Sequence, residues 1–314
     1  MRKIIALFLT AALLLGLTAC SEPDLEFAAG PKGGIYLEYA TALAEGIEAE
    51  TGMKVEIQET KGALSNLQIV DVDPDQITLC QLDLLNHSWN ETGLFRTEGN
   101  IDSLRAIGAV YTEMLQLVTT DPTIKGVDDL KGKRVSVGLT GSGVYYNATD
   151  ILEDAGYKKK DLKIEEFSME EAFEAMKTGK LDAAFIFAGL PTPAIEDYIA
   201  KEELYLIPIE EKYLDLLQRS CEDLADYAIP AGTYDGQDVP VKTLATKAVL
   251  LCGADCTEDQ IYAITSLLFE HSHSIDHPKA GKLTLSFATE GIDLPFHKGA
   301  AKYYAAQGLE VFTK

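Results

Sequence analysis

The stretch Leu25-Glu26-Phe27-Ala28-Ala29-Gly30-Pro31-Lys32-Gly33-Gly34-Ile35-Tyr36 joins a short apolar run, a glycine turn and the start of a segment with helix-spaced apolar residues. A strand that turns through glycine into a helix is the repeating unit of layered α/β folds. Glycine lets the backbone approach a ligand closely, and the first helical turn offers unpaired N–H groups to a carboxylate or phosphate. A dinucleotide fingerprint is excluded, because no third glycine stands three residues beyond Gly34. The turn is a ligand contact or simply a turn, and the local sequence is compatible with both.

Outward from this turn the alternation continues. Residues 35–50 read as a helix, 54–58 as a strand, 65–70 as a short helix and 77–80 as a strand, followed by extended segments at 104–110 and 114–119. After Thr120-Asp121-Pro122 the pattern restarts, with extended runs at 134–138, 162–165 and 183–187 and helices at 144–155 and 170–177. A Pro- and Gly-rich link at 228–241 precedes a β-like run at 248–252, and Thr257 is a candidate N-cap for an amphipathic helix at 261–269. That last stretch is too small for a domain of its own and is expected to pack back on the first unit. The chain then crosses between two lobes twice, which makes a hinge. The expected fold is α/β and two-lobed, each lobe a mixed sheet flanked by helices.

The 314 residues are 46% hydrophobic and 25% charged, enough to bury a sizeable core. Asp and Glu number 50 against 27 Lys and Arg, a formal charge of -23 that repels phosphate backbones, so nucleic-acid binding is not expected. Met1-Arg2-Lys3 followed by the apolar run to Leu17 reads as an export signal, and Leu17-Thr18-Ala19-Cys20 resembles the bacterial lipobox, with Cys20 as the lipidated first mature residue. Cys80, Cys221, Cys252 and Cys256 remain, and four thiols permit three complete pairings without requiring any; Cys80 reads as a small buried hydrophobe, and a Cys252–Cys256 loop disulfide is open.

A second strand-to-helix turn is Gly138-Leu139-Thr140-Gly141-Ser142-Gly143, with two hydroxyls among its glycines. Thr140 and Ser142 are helix caps or ligand contacts, and the lysine of a phosphate loop is absent. Competing chemistry has weaker footing. His273 and His277 have the i, i+4 spacing of a metal pair, with His271 close by, but no metalloprotease glutamate accompanies them. No Gly-x-Ser-x-Gly elbow supports an exported hydrolase built on Ser65 or Ser142. Neither a metal nor a cofactor nor catalytic turnover is expected.

The two turns, with Asp128-Asp129-Leu130-Lys131-Gly132-Lys133-Arg134, Ala188-Gly189-Leu190-Pro191-Thr192-Pro193-Ala194, the run 229–237 and Pro295-Phe296-His297-Lys298-Gly299-Ala300, resemble the TAXI-type solute-binding proteins of tripartite ATP-independent periplasmic (TRAP) transporters. The resemblance runs from about Phe27 to the C-terminus. It implies lobes at 25–115 plus 246–314 and at 116–245, after an export signal at 1–19 and a lipidated tether at 20–24. It implies closure over a small carboxylate or amino-acid solute, glutamate-like first, and delivery to membrane permease subunits driven by an ion gradient. The same fold would also serve an ATP-driven importer. From the first lobe the resemblance implies Gly33, Gly34, Tyr36, Thr60, Ser65 and Gln81 as ligand-binding, with Tyr111 and Glu113 at the crossing and Glu113 pairing with a solute amine. From the second lobe it implies Thr140, Ser142 and the N–H of Gly143 for a carboxylate, and Phe187, Ala188 and Gly189 as an apolar wall. In the loop 60–66, Ala63 replaces a family glycine.

Overall fold

A computed structural model describes residues 23–96, 101–158, 160–281 and 283–314. The expected export signal and Cys20 lie outside the described residues.

Strand β1 (Leu25–Ala28) turns through Gly30–Gly34 into helix α1 (Ile35–Thr51), which ends at Gly52 with φ of +77°, a left-handed conformation that glycine adopts without a Cβ clash. Strand β2 (Val55–Gln58), helix α2 (Ala63–Val72), strand β3 (Ile77–Gln81) and helix α3 (Leu82–Trp89) follow. Strands β1, β2 and β3 pair in parallel, so helices must return the chain between them.

Strand β4 (Leu104–Thr119) then runs the length of both lobes. Beyond it come β5 (Arg134–Ser136), α4 (Gly143–Asp154), β6 (Lys163–Glu165), α5 (Met169–Lys177), β7 (Ala183–Ala188), α6 (Pro193–Ile199), β8 (Tyr205–Ile207), α7 (Glu211–Ser220) and β9 (Ala225–Ile229). Strand β10 (Val241–Gly253) returns antiparallel to β4, pairing Ala245–Gly253 with Leu104–Met114, and is followed by α8 (Glu258–Glu270), α9 (Leu285–Thr289) and α10 (Lys298–Ala306). The strand order is β2-β1-β3-β10-β4-β7-β5-β6, with β8 added to β4 and β9 to β10. The two crossings are therefore the neighbouring strands β4 and β10, paired as far as Met114 and Ala245.

The segments expected at 104–110 and 114–119 are a single strand, because β10 pairs with Leu104–Met114 and takes up the irregularity in register shifts at Ala248/Val249 and Leu250/Leu251, and β7 pairs with the remainder from Met114 to Thr119. The link expected at 228–241 is instead the turn of a hairpin in which Ile229 pairs with Val241. Helices α3, α7 and α10 carried no expectation, although Tyr213, Leu214 and Leu217 of α7 are buried at helical spacing. Thr257 does cap α8, in a reciprocal box with Gln260. The four described cysteines are buried free thiols, so Cys252 and Cys256 are not bridged; their sulfurs approach the carbonyls of Arg105 and Gln76.

Strand alternation separates two cores. In β7, Ala183 and Phe185 face a core confined to the second lobe, with Val135, Ile151 and Leu214, whereas Ala184, Ile186 and Ala188 face the larger core. That larger core holds Phe27, Leu43 and Leu251 of the first lobe and also Phe173, Met176 and Tyr198 of the second. Helix α8 packs into it through Ile261, Ile264, Leu267 and Leu268. Among the described residues no helix is long and apolar enough to cross a membrane.

Candidate functional site

A cavity of about 100 Å3 lies between the lobes. The volume equals that of a few water molecules at about 30 Å3 each. The first lobe supplies Gly34, Tyr36, Lys61 and Gln81, β4 supplies Glu113, and the second lobe supplies Ser136, Ser142, Gly143, Phe167 and Phe187, among others.

At its floor, Tyr36 donates its hydroxyl to Glu113 Oε2 at 3.0 Å. Tyr36 and Tyr39 lie three residues apart on one face of α1, while Tyr111 and Glu113 lie two apart on one face of β4. The two spacings match: Tyr36 meets Glu113, and the rings of Tyr39 and Tyr111 pack at 5.2 Å. Glu113 is 2% exposed, and this burial pushes its carboxyl up to about 8. The Tyr36 bond pulls it back in part, and the nearby Asp83 charge adds to the rise. The Tyr36 hydroxyl is itself driven well above the ordinary phenol range, by burial first and then by Glu113.

Gln81 Nε2 and the Tyr111 hydroxyl are buried without a hydrogen-bond partner in the protein. Buried donors of this kind call for a solute or a water. Helix α1 starts at Gly34 without a side-chain cap; Gly34 N and Leu37 N donate to the carbonyls of Pro31 and Gly34, which leaves the amides of Ile35 and Tyr36 as the ones a ligand would use.

The lobes also bond directly. Leu64 N and Ser65 N, at the uncapped start of α2, donate to the carbonyl of Gly141 in the other lobe at 3.0 and 3.2 Å. Asn147 Nδ2 donates to Asp83 Oδ2 at 3.0 Å, and Asn86 Nδ2 to Asp223 Oδ1 at 3.0 Å. Burial raises Asp83 above the usual carboxylate range, with the Asn147 bond opposing the rise, and raises Asp223 to about 6. Two glycines make the approach possible. A Cβ on Gly143 would stand 1.5 Å from Gln81 Oε1, and one on Gly62, at φ of +115°, would stand 3.2 Å from Ser142 Cβ.

The cavity thus brings together Gly34, Tyr36, Gln81, Glu113, Ser142, Gly143 and Phe187. The other expected site residues sit elsewhere. Gly33 faces Glu170 beside the cavity; Thr60 donates to Asn66 Oδ1 at 2.5 Å and accepts from Gly62 N; Ser65 meets Gly141 through its backbone. Tyr111 lies behind Tyr39, Ala188 pairs with Met114 inside the larger core, and Gly189 packs on Lys279. Both hydroxyls of the second turn are engaged within their lobe: Thr140 donates to Glu166 Oε2 at 2.6 Å, and Ser142 donates to Leu139 O at 2.7 Å while capping Tyr145 N at 3.3 Å.

Lining residues outside the sequence expectation include Lys61, Ser136, Phe167 and Met169. Phe167-Ser168-Met169 forms a third strand-to-helix turn, but it contains no glycine. Its visible signal is the capping box from Ser168 to Glu171 that opens α5.

Among solved structures, MatC from Rhodopseudomonas palustris with bound malate is similar over 82% of this chain and 85% of its own, with a TM-score of 0.56 at 13% identity. A periplasmic transporter structure matches over 83% of this chain and 86% of its own, with a TM-score of 0.52 at 14% identity. The periplasmic binding protein BugD matches over 81% and 83%, with a TM-score of 0.51 at 14% identity. The fold is the two-lobed fold of periplasmic binding proteins. The family model described as NMT1-like matches residues 27–308, which span both lobes and every cavity residue named above, and the chain belongs to the NMT1-like family.

Proposed function

We propose that the protein is the extracytoplasmic solute-binding subunit of a TAXI-type TRAP transporter, anchored through a lipid on Cys20. Its lobes, 25–115 with 246–314 and 116–245, close over a small carboxylate or amino-acid solute, glutamate-like first, and hand it unchanged to membrane permease subunits. The lobe limits fall inside β4 and β10, so closure bends continuous strands rather than a loop.

The observation that carries this reading is the buried Tyr36–Glu113 pair in an interlobe cavity beside the open start of α1. A carboxylate suits the amides at the starts of α1 and α4. An ammonium suits Glu113, and Lys61 at the cavity wall suits a second carboxylate. Family membership and the shared fold support a binding protein, and malate in MatC is a small carboxylate.

With its carboxyl raised to about 8 by burial, Glu113 holds a proton at neutral pH before solute binds. An arriving ammonium stabilises the carboxylate, so binding of an amino acid releases that proton. Calorimetry with glutamate, aspartate, neutral amino acids and dicarboxylates, in two buffers of different ionisation enthalpy, tests this. Amino-acid binding with proton release, weakened about 10- to 100-fold by Glu113→Gln, is expected. Binding of dicarboxylates alone, or amino-acid binding indifferent to Glu113→Gln, would overturn the assignment of the amine to Glu113.

A further inference from the structure

On the outer end of the first lobe, α1 and α8 terminate side by side. Neither has a basic residue in its last turn, so the partial negative charge at both helix ends is uncompensated there. Glu50 is in the last turn of α1, His271 is the C-terminal cap of α8, and His273 follows in a 3-10 turn, Ser272–Ser274. All three are exposed, and one ligand atom from each lies within 4.8 Å of the other two. His271 Nδ1 stands 3.5 Å from Glu50 Oε2, and the two imidazole rings are 6.1 Å apart.

We infer that Glu50, His271 and His273 form a binding site for a divalent transition metal, zinc above all. Two imidazoles and a carboxylate match zinc, whose bonds of about 2.0–2.1 Å set tetrahedral ligands roughly 3.4 Å apart. Small rotations of exposed side chains close the remaining gap. Solvent completes the coordination.

The scaffold beneath the site is rigid. A Cβ on Gly46 would meet the Ser274 carbonyl at 2.9 Å, so this glycine lets the 3-10 turn lie directly on α1. Ser274 also donates its hydroxyl to Glu50 Oε1, leaving Oε2 toward His271 and acting as the outer-shell partner that orients a carboxylate ligand. His277, which the sequence pairs with His273 at i, i+4, belongs to another environment. Its ring packs edge-on against Tyr39 at 5.3 Å, and its Nδ1 accepts from Lys279 N. A rise of about 1.5 Å per residue along α1 puts Glu50 roughly 20 Å from Tyr36, so the metal and the solute bind independently.

The test is calorimetric titration of the chelator-treated full chain with zinc chloride, without organic solute. One zinc per chain is expected, with affinity reduced about tenfold or more in His273→Ala and in Glu50→Gln, and unchanged in His277→Ala and Glu113→Gln. Magnesium and calcium, which prefer oxygen ligands, should give no comparable heat. Circular dichroism checks that the variants, altered at exposed positions, stay folded. Absence of zinc binding, or zinc binding indifferent to both His273→Ala and Glu50→Gln, would overturn the site. Loss in Glu113→Gln or His277→Ala instead would place the metal elsewhere and overturn it equally.

Discussion

The turns at Gly30–Gly34 and Gly138–Gly143 share one local design, a strand passing through glycine into a helix, yet they do different work. The first leaves α1 uncapped and directs Tyr36 across to Glu113. The second caps its own helix with Ser142, ties Thr140 to Glu166 and extends the Gly141 carbonyl to the start of α2. The first turn faces the cavity with no side-chain cap, while the second, besides lining the cavity, fastens the opposite lobe. Similar backbone grammar therefore says where polar groups are available and leaves open whether a solute or the protein itself uses them.

The largest expected effect probes the receiving side. Glu113 is raised to about 8 by burial, so the native state keeps a proton that the unfolded chain has already released. Stability of the solute-free protein is full below about pH 4.5, falls by up to about 1.4 kcal/mol per pH unit through the window to about 8, and levels beyond it. Denaturant unfolding across this range should show the decline, flattened in Glu113→Gln. Asp83, also raised by burial, adds a slope of the same sign that this substitution leaves in place.

The fastening side breaks next. Gly62→Ala puts a Cβ at φ of +115° and against Ser142, a strain of about 1–3 kcal/mol concentrated at the lobe contact. Solute affinity should fall about tenfold, and small-angle scattering should show a more open particle. Unchanged dimensions and affinity would mean that the Gly62–Ser142 approach does not govern closure.

Ser142→Ala gives the smallest effect and sharpens the contrast. Loss of the cap on Tyr145 N should cost about 1 kcal/mol of stability. Affinity should stay within about twofold, since the hydroxyl is engaged by Leu139 and Tyr145. A tenfold loss of affinity with stability unchanged would reverse the roles given to the two turns.

Much of the architecture was legible because it rests on local patterns. Apolar alternation, glycine turns and the Thr257 cap each depend on a few neighbouring residues, and the α/β character, the second unit and the two crossings follow from their order. The register of β4 against β10 was not legible, since the apolar pattern shows residues 111–113 only as a break between two extended runs. Phe167 and Met169 escaped notice because their turn lacks glycine, and Lys61 because nothing local distinguishes a cavity lysine from a surface one.

Along the chain, residue types and spacings were enough to place two anion-friendly turns, because helix starts and strand ends are short-range physics, and the family resemblance added an acid at the crossing. Packing alone chose among their possible uses. Burial between α1, β3 and β4 is what raises Glu113 and leaves the Gln81 amide without a protein partner, and the fit of Gly62 and Gly143 against the opposite lobe is what turns two flexible loops into a closed contact. Desolvation and steric fit are sums over residues far apart in sequence, and they exist only once the chain has brought those residues together.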